Sequence, residues 1–342
     1  MSRLYNLDYL RGMAASGIML YHYLTWTLGD FTSDTFMGRL GVYGVSIFYI
    51  LSGLTLYYVY FDKMNVSKED LISFFRKRVF RIFPLLWLVT IVAIILSRTT
   101  PSFTKLFLNL TGLFGFIQWD QYFSAGIWSI GNELVFYAFF PFFILLTKRY
   151  KILMALLSML LFGFYIYFAF FKLNAELPLS EQWKHYVNPL NQVFLFLGGF
   201  LIGFFLHKIQ IKNFLVIIML LAGLGLFTFF PASGNTINIV TGVNRMVFTA
   251  CCFLICISFY KLNFQFPEFI HKPLTILGES SYSIYLLHPI VWTIYKGINT
   301  YIIALPIFLN LISSILTTLL ISYFSYQYFE KYFMKFGRVK SL

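Results

Sequence analysis

Charge is scarce in this chain. Only 11% of its 342 residues are Asp, Glu, Lys or Arg, against 59% hydrophobic and 21% aromatic. No soluble domain needs so many apolar residues, which excludes that class. Cysteine is equally thin: Cys251, Cys252 and Cys256 share one apolar segment, with His207 on a neighbouring stretch and no ligand spacing. The reading is core packing, with neither a disulfide framework nor a metal site. Internal repeats and low-complexity tracts are missing as well. A net charge of +13 would suggest nucleic acid in a soluble protein. Here the cations gather in loops between apolar segments, so no nucleic-acid partner is expected.

What the chain does have is apolar stretches near 20 residues, the length that crosses a bilayer. About ten are readable, at 7–28, 41–61, 79–97, 126–147, 151–171, 190–207, 213–230, 241–260, 275–296 and 304–326. An N-terminus in the cytoplasm puts most Lys and Arg on the inner side, with Arg11, Arg81 and Arg245 inside spans. The expected fold is an all-α polytopic membrane bundle with both termini cytoplasmic. Residues 1–330 form one membrane-embedded domain, 331–342 a short basic cytoplasmic tail, and no soluble domain is expected. The first segment is too long and too charged to be a cleavable signal peptide. Residues 106–118 are apolar but short, and read as re-entrant or lying in the outer interface.

Three constellations carry chemistry. Arg11 and His22 lie eleven positions apart in the first stretch. At 100° per residue they share one helix face, roughly 16 Å apart along the axis. An ionisable residue inside the membrane is a functional candidate by default. The second constellation is the basic run Arg76-Lys77-Arg78 with Arg81 one turn further on, inside the third span. Forked, permanently charged guanidinium groups suit phosphate oxygens. The third is Trp128-Ser129 through Glu133 to Tyr137. By rise per residue, His22 lies roughly 22 Å, and Glu133 and His288 roughly 20 Å, from the cytoplasmic side of a ~30 Å core. Three ionisable residues at one depth point to a shared polar site.

These residues also carry a resemblance. Leu7-Asp8-Tyr9-Leu10-Arg11-Gly12 followed by His22 resembles the opening signature of the acyltransferase type 3 membrane family. Phe48-Tyr49-Ile50-Leu51-Ser52-Gly53 is similar to its second-span motif, and Lys77-Arg78-Val79-Phe80-Arg81-Ile82-Phe83-Pro84 to its basic motif. Trp128-Ser129 with Glu133, Phe136 and Tyr137 resembles a further block, and Ser281-Tyr282-Ser283 through His288-Pro289 a late one. The matches run in order over nearly the whole chain. Lys77 departs from the more usual Arg, and Ile130-Gly131-Asn132 from the commoner filling before the Glu.

The resemblance implies O-acyl transfer, usually of acetyl, from cytoplasmic acetyl-CoA or another acyl-CoA to a hydroxyl of an extracytoplasmic glycan or lipid-linked saccharide. It also implies the bacterial inner membrane. Under it, Arg11, Lys77, Arg78 and Arg81 hold the CoA phosphates. His22 is general base and Glu133 orients and stabilises its imidazolium. Tyr282, His288 and Trp128 form walls of the site, and Asp8 pairs with Arg11. Direct transfer and an acyl-His22 intermediate both stay open at this level. Outer-rim Trp183, Asn188, Asn191, Gln192, Asn235 and Asn244 are either sugar contacts or helix caps and interface polar groups. The rival reading is a transporter or flippase of glycans or lipid-linked sugars, whose sites lie near the midplane. The absence of an inverted repeat speaks against it. Oligomeric state is not readable.

Overall fold

The computed structural model describes residues 3–264 and 266–338, and among these there are helices and no strand. In chain order they begin with α1 (Tyr5–Leu28), α2 (Phe36–Tyr60) and α3 (Lys68–Ser97). Two short pieces follow, α4 (Phe103–Thr111) and α5 (Phe114–Ile117), then α6 (Ile127–Arg149) and α7 (Lys151–Tyr167). The remainder are α8 (Trp183–Tyr186), α9 (Pro189–Leu206), α10 (Asn213–Phe229), α11 (Gly242–Lys261) and α12 (Glu268–Glu279). Last come α13 (Ser281–Tyr301), α14 (Ile307–Phe324) and α15 (Lys331–Gly337). α7 runs on into a π-turn at Phe168–Lys172, and α14 passes into α15 through another at Ser325–Glu330.

The protein is thus an all-α, multi-pass membrane protein. Among the described residues, seven helices, counting continuous segments, are long and apolar enough to cross a bilayer. α10 is apolar but spans only 17 residues. α1 and α13 are long enough, yet fall outside that set because they carry the polar and ionisable residues of the motifs. The stretch expected at 275–296 is divided: α12 ends at Glu279, and α13 starts afresh at Ser281. Residues 106–118 lie in α4 and α5, which are broken apart at Gly112 (φ 75°). At nine and four residues, neither can span. Residues 331–337 of the expected tail form α15.

Start signals are ordinary capping. Thr35 accepts a hydrogen bond from the Gly38 amide at 3.0 Å ahead of α2. Ser67 does the same for Asp70 at 3.2 Å ahead of α3. Acidic Glu69 and Asp70 occupy the first turn of α3, where the helix dipole favours them.

The chain divides into two compact units. The first comprises residues 1–63 and 146–278, the second 64–145 and 279–342. In the first, α2 and α9 pack backbone to backbone. A Cβ on Gly53 would overlap the Phe196 carbonyl, and one on Gly199 the Ile50 carbonyl. Small residues that let helices approach this closely are the usual device in lipid, where apolar side chains gain nothing by leaving the tails. α1 meets α12 in the same way, Gly12 lying against the backbone at Leu277 and Gly278. The glycines of the first two motifs therefore serve packing. In the second unit Gly115 of α5 sits against the Gly131 backbone of α6.

Candidate functional site

Arg11, His22 and the α1 stripe that carries them belong to the first unit; Lys77, Arg78, Arg81, Trp128, Glu133, Tyr282 and His288 belong to the second.

On α1, Arg11 is held from two sides. Its Nη1 lies 3.3 Å from Asp8 Oδ1, as expected, and its Nη2 donates to Thr55 Oγ1 of α2 at 3.0 Å. Asp8 also takes the Arg3 Nε at 2.7 Å, so two cations share one carboxylate. Three turns along, the His22 imidazole stacks on Trp26, with centroids 5.0 Å apart and planes only 9° from parallel. Tyr21 lies beside it at 5.3 Å. Trp26 stands one turn beyond His22 and is 37% exposed. The sequence reading passed over it, although an aromatic four residues from a candidate base is the spacing at which helix side chains touch.

In the second unit the basic run separates into different tasks. Arg76 Nε donates to the Phe336 carbonyl at 2.9 Å, and the Lys77 backbone receives Gly337. Arg76 thus caps the last turn of α15 with a cation, which its dipole favours. Arg78 lies over two rings, 5.8 Å from Phe74 and 5.6 Å from Tyr137, within cation–π range. Tyr137 in turn donates its hydroxyl to Glu133 Oε1, four residues back on α6. Arg78 and Glu133 are therefore joined through one tyrosine. Arg81 makes no hydrogen bond or ion pair among the described residues.

Tyr282 is tied across the unit, donating to the Ile82 carbonyl at 2.8 Å, two residues before the helix-interior Pro84 of α3. It lies within electrostatic reach of Glu330, Glu133, Arg81 and Tyr137. His288 is fully buried, and its Nδ1 lies 3.1 Å from the Ile284 carbonyl. A carbonyl only accepts, so Nδ1 carries the proton. Trp128 is buried, and next to it Ser129 Oγ lies 2.9 Å from the Gly126 carbonyl and 2.8 Å from Tyr285 Oη.

Glu330 is a buried carboxylate that sequence reading left out. It ends the π-turn, is 2% exposed, and takes the Ser283 hydroxyl on Oε1. A signal existed: it is the last acidic residue of the chain, and none other follows Glu279. Buried Arg39 was missed as well. Its guanidinium donates to the carbonyls of Ser33, Phe227, Thr228 and Phe230 at 2.7–2.8 Å. It closes the C-terminal end of α10, whose last carbonyls have no partner within the helix.

Of the residues expected at the outer rim, most serve the backbone. Asn188 caps α9 at 2.9 Å and Asn235 caps a 3₁₀ turn at 3.0 Å. Asn191 and Gln192 are buried and both donate to the Tyr186 carbonyl. Asn244 bonds the Asn238 carbonyl at 2.9 Å. The three cysteines are buried free thiols.

Comparison with known proteins extends this picture. A family model described as an acyltransferase domain, of type 3, matches residues 4–327. The O-acetyltransferase OatA of Staphylococcus aureus (strain NCTC 8325 / PS 47) is 25% identical over 97% of this chain and 57% of its own length. OatA of strain COL gives the same figures. The protein ORF330 of Acidianus two-tailed virus, an acetyltransferase by provisional name, is 26% identical over 82% of this chain and 80% of its own. The chain thus spans little more than half the length of the OatA proteins it matches. No solved structure matches.

Proposed function

This chain belongs to the acyltransferase type 3 family, and on that premise we propose that it is an O-acyltransferase, most simply an O-acetyltransferase. The donor is acyl-CoA in the cytoplasm and the acceptor a hydroxyl of an extracytoplasmic glycan or lipid-linked saccharide. The membrane is the bacterial cytoplasmic membrane, with both termini inside, a reading supported by the distribution of Lys and Arg in the loops. The activity is assigned to residues 1–330. The family match carries this reading, because it takes in every motif residue from Arg11 to His288.

In the direct route His22 accepts the proton of the acceptor hydroxyl as its oxygen attacks the thioester carbonyl. The tetrahedral intermediate then expels the CoA thiolate, which recovers a proton from the imidazolium. Glu133, fixed by the Tyr137 hydroxyl, is the carboxylate assigned to stabilise that imidazolium, on the strength of its motif and depth. The stack of His22 on Trp26 supports a fixed ring orientation, which a general base requires. Arg81, Arg78, Lys77 and Arg11 are assigned to the donor phosphates. Among them Arg81 has the most to offer, since no described side chain occupies its fork.

The test uses protein in liposomes given radiolabelled acetyl-CoA on one side. Wild type is expected to pass label to a glycan acceptor. His22→Ala should lose transfer by at least about 100-fold, the usual scale for a general base, while still binding CoA. Retained transfer in a folded His22→Ala protein would overturn the assignment. Failure of active wild type to bind CoA would favour sugar transport instead.

A further inference from the structure

The second unit holds a buried carboxylate that the proposed chemistry does not use. Glu330 is enclosed by protein, and its Oε1 is engaged by Ser283, itself 3.0 Å from Ser325 Oγ. Its other oxygen, Oε2, is buried with no hydrogen-bond partner among the described residues. An oxygen buried without a partner costs the full desolvation of that group. Proteins keep such groups rarely, and each calls for an explanation. Glu330 also closes a π-turn, a distortion that costs helix geometry and recurs at functional sites.

Arg81 is the complementary anomaly. It lies within electrostatic reach of Glu330, yet the two form no ion pair and Arg81 makes no other bond among the described residues. A guanidinium and a carboxyl oxygen within electrostatic reach of each other, each with open hydrogen-bonding capacity among the described residues, suit a ligand that is anionic at one point and a hydrogen-bond donor at the next. CoA has that order: beyond its pyrophosphate the chain continues into a hydroxyl and an amide N–H of the pantetheine arm. We propose that Glu330 is a donor-binding residue, its Oε2 accepting a hydrogen bond from the pantetheine arm while Arg81 holds the pyrophosphate. The inference rests on the reading of acyl-CoA as donor. Ser283 acts through Glu330, fixing Oε1 so that Oε2 is the oxygen presented.

The test compares two ligands on the purified full-length protein: CoA, and 3′-phosphoadenosine 5′-diphosphate, which keeps the phosphates and lacks the pantetheine arm. Glu330→Met, which removes both acceptors, should weaken CoA about tenfold, the scale of one hydrogen bond to a charged group. Glu330→Gln, which keeps a neutral acceptor and the fold, should weaken it less. Neither should alter binding of the phosphate analogue, whereas Arg81→Ala should weaken both ligands. If Glu330→Gln and any folded Glu330→Met bind CoA as wild type does, the carboxylate is structural and the inference is overturned. Equal weakening of both ligands overturns it too. Wild type that binds neither ligand overturns the acyl-CoA reading itself, and this inference with it.

Discussion

Arg78 and Arg81 are one turn apart on α3, yet the fold gives them different work. The first is laid over Phe74 and Tyr137, and the second is left open. Their shared residue type says nothing of this; neighbouring side chains decide it. Tyr137 is the hinge of the arrangement, because one side chain offers its ring to Arg78 and its hydroxyl to Glu133. Tyr137→Phe separates the two roles. The ring and its cation contact stay, while Glu133 loses a bond. Transfer is expected to fall about tenfold, the scale of one hydrogen bond to a charged acceptor, with CoA affinity unchanged. Single-turnover kinetics beside a CoA titration would check this, and a loss confined to CoA binding would count against Glu133 as the assisting carboxylate.

At the scale of helices, the motif glycines belong to packing. Gly53 lies against the Phe196 carbonyl and the Phe200 amide of α9, so a β-carbon there has nowhere to go. Gly53→Leu should push α2 and α9 apart and cost about 1–3 kcal/mol or more, as overpacked cores do. Thermal unfolding in detergent would measure it, and activity should fall only in step with folded protein. An inactive Gly53→Leu protein with wild-type stability would move Gly53 from packing to chemistry. Arg39 shows the same logic in a charged residue. Four backbone carbonyls absorb its guanidinium, which is why a cation can be buried there.

For the molecule as a whole, the proposed orientation makes Lys63 face the cytoplasm and Ser233 the exterior, and both are exposed. An impermeant maleimide should label Ser233→Cys in intact cells and Lys63→Cys only after permeabilisation. The native thiols, all buried, should contribute little background. The opposite pattern would invert the topology and place the basic run outside. Hydropathy and length alone determined that this is an all-α membrane protein, because a segment in lipid must satisfy its backbone within itself. The motif residues were legible for a similar reason: an Arg or Glu in an apolar run is conspicuous in one dimension. Partnership was not legible. The asparagines at the rim read equally well as sugar contacts, and only the nearby carbonyls and amides made most of them caps and clamps. Tyr282 meets a carbonyl 200 positions away, and Glu330 meets Ser283 from 47 positions off. Hydrogen bonds act over about 3 Å of space, and chain order does not measure that distance, so which charges are answered and which stand open was decided by the tertiary structure.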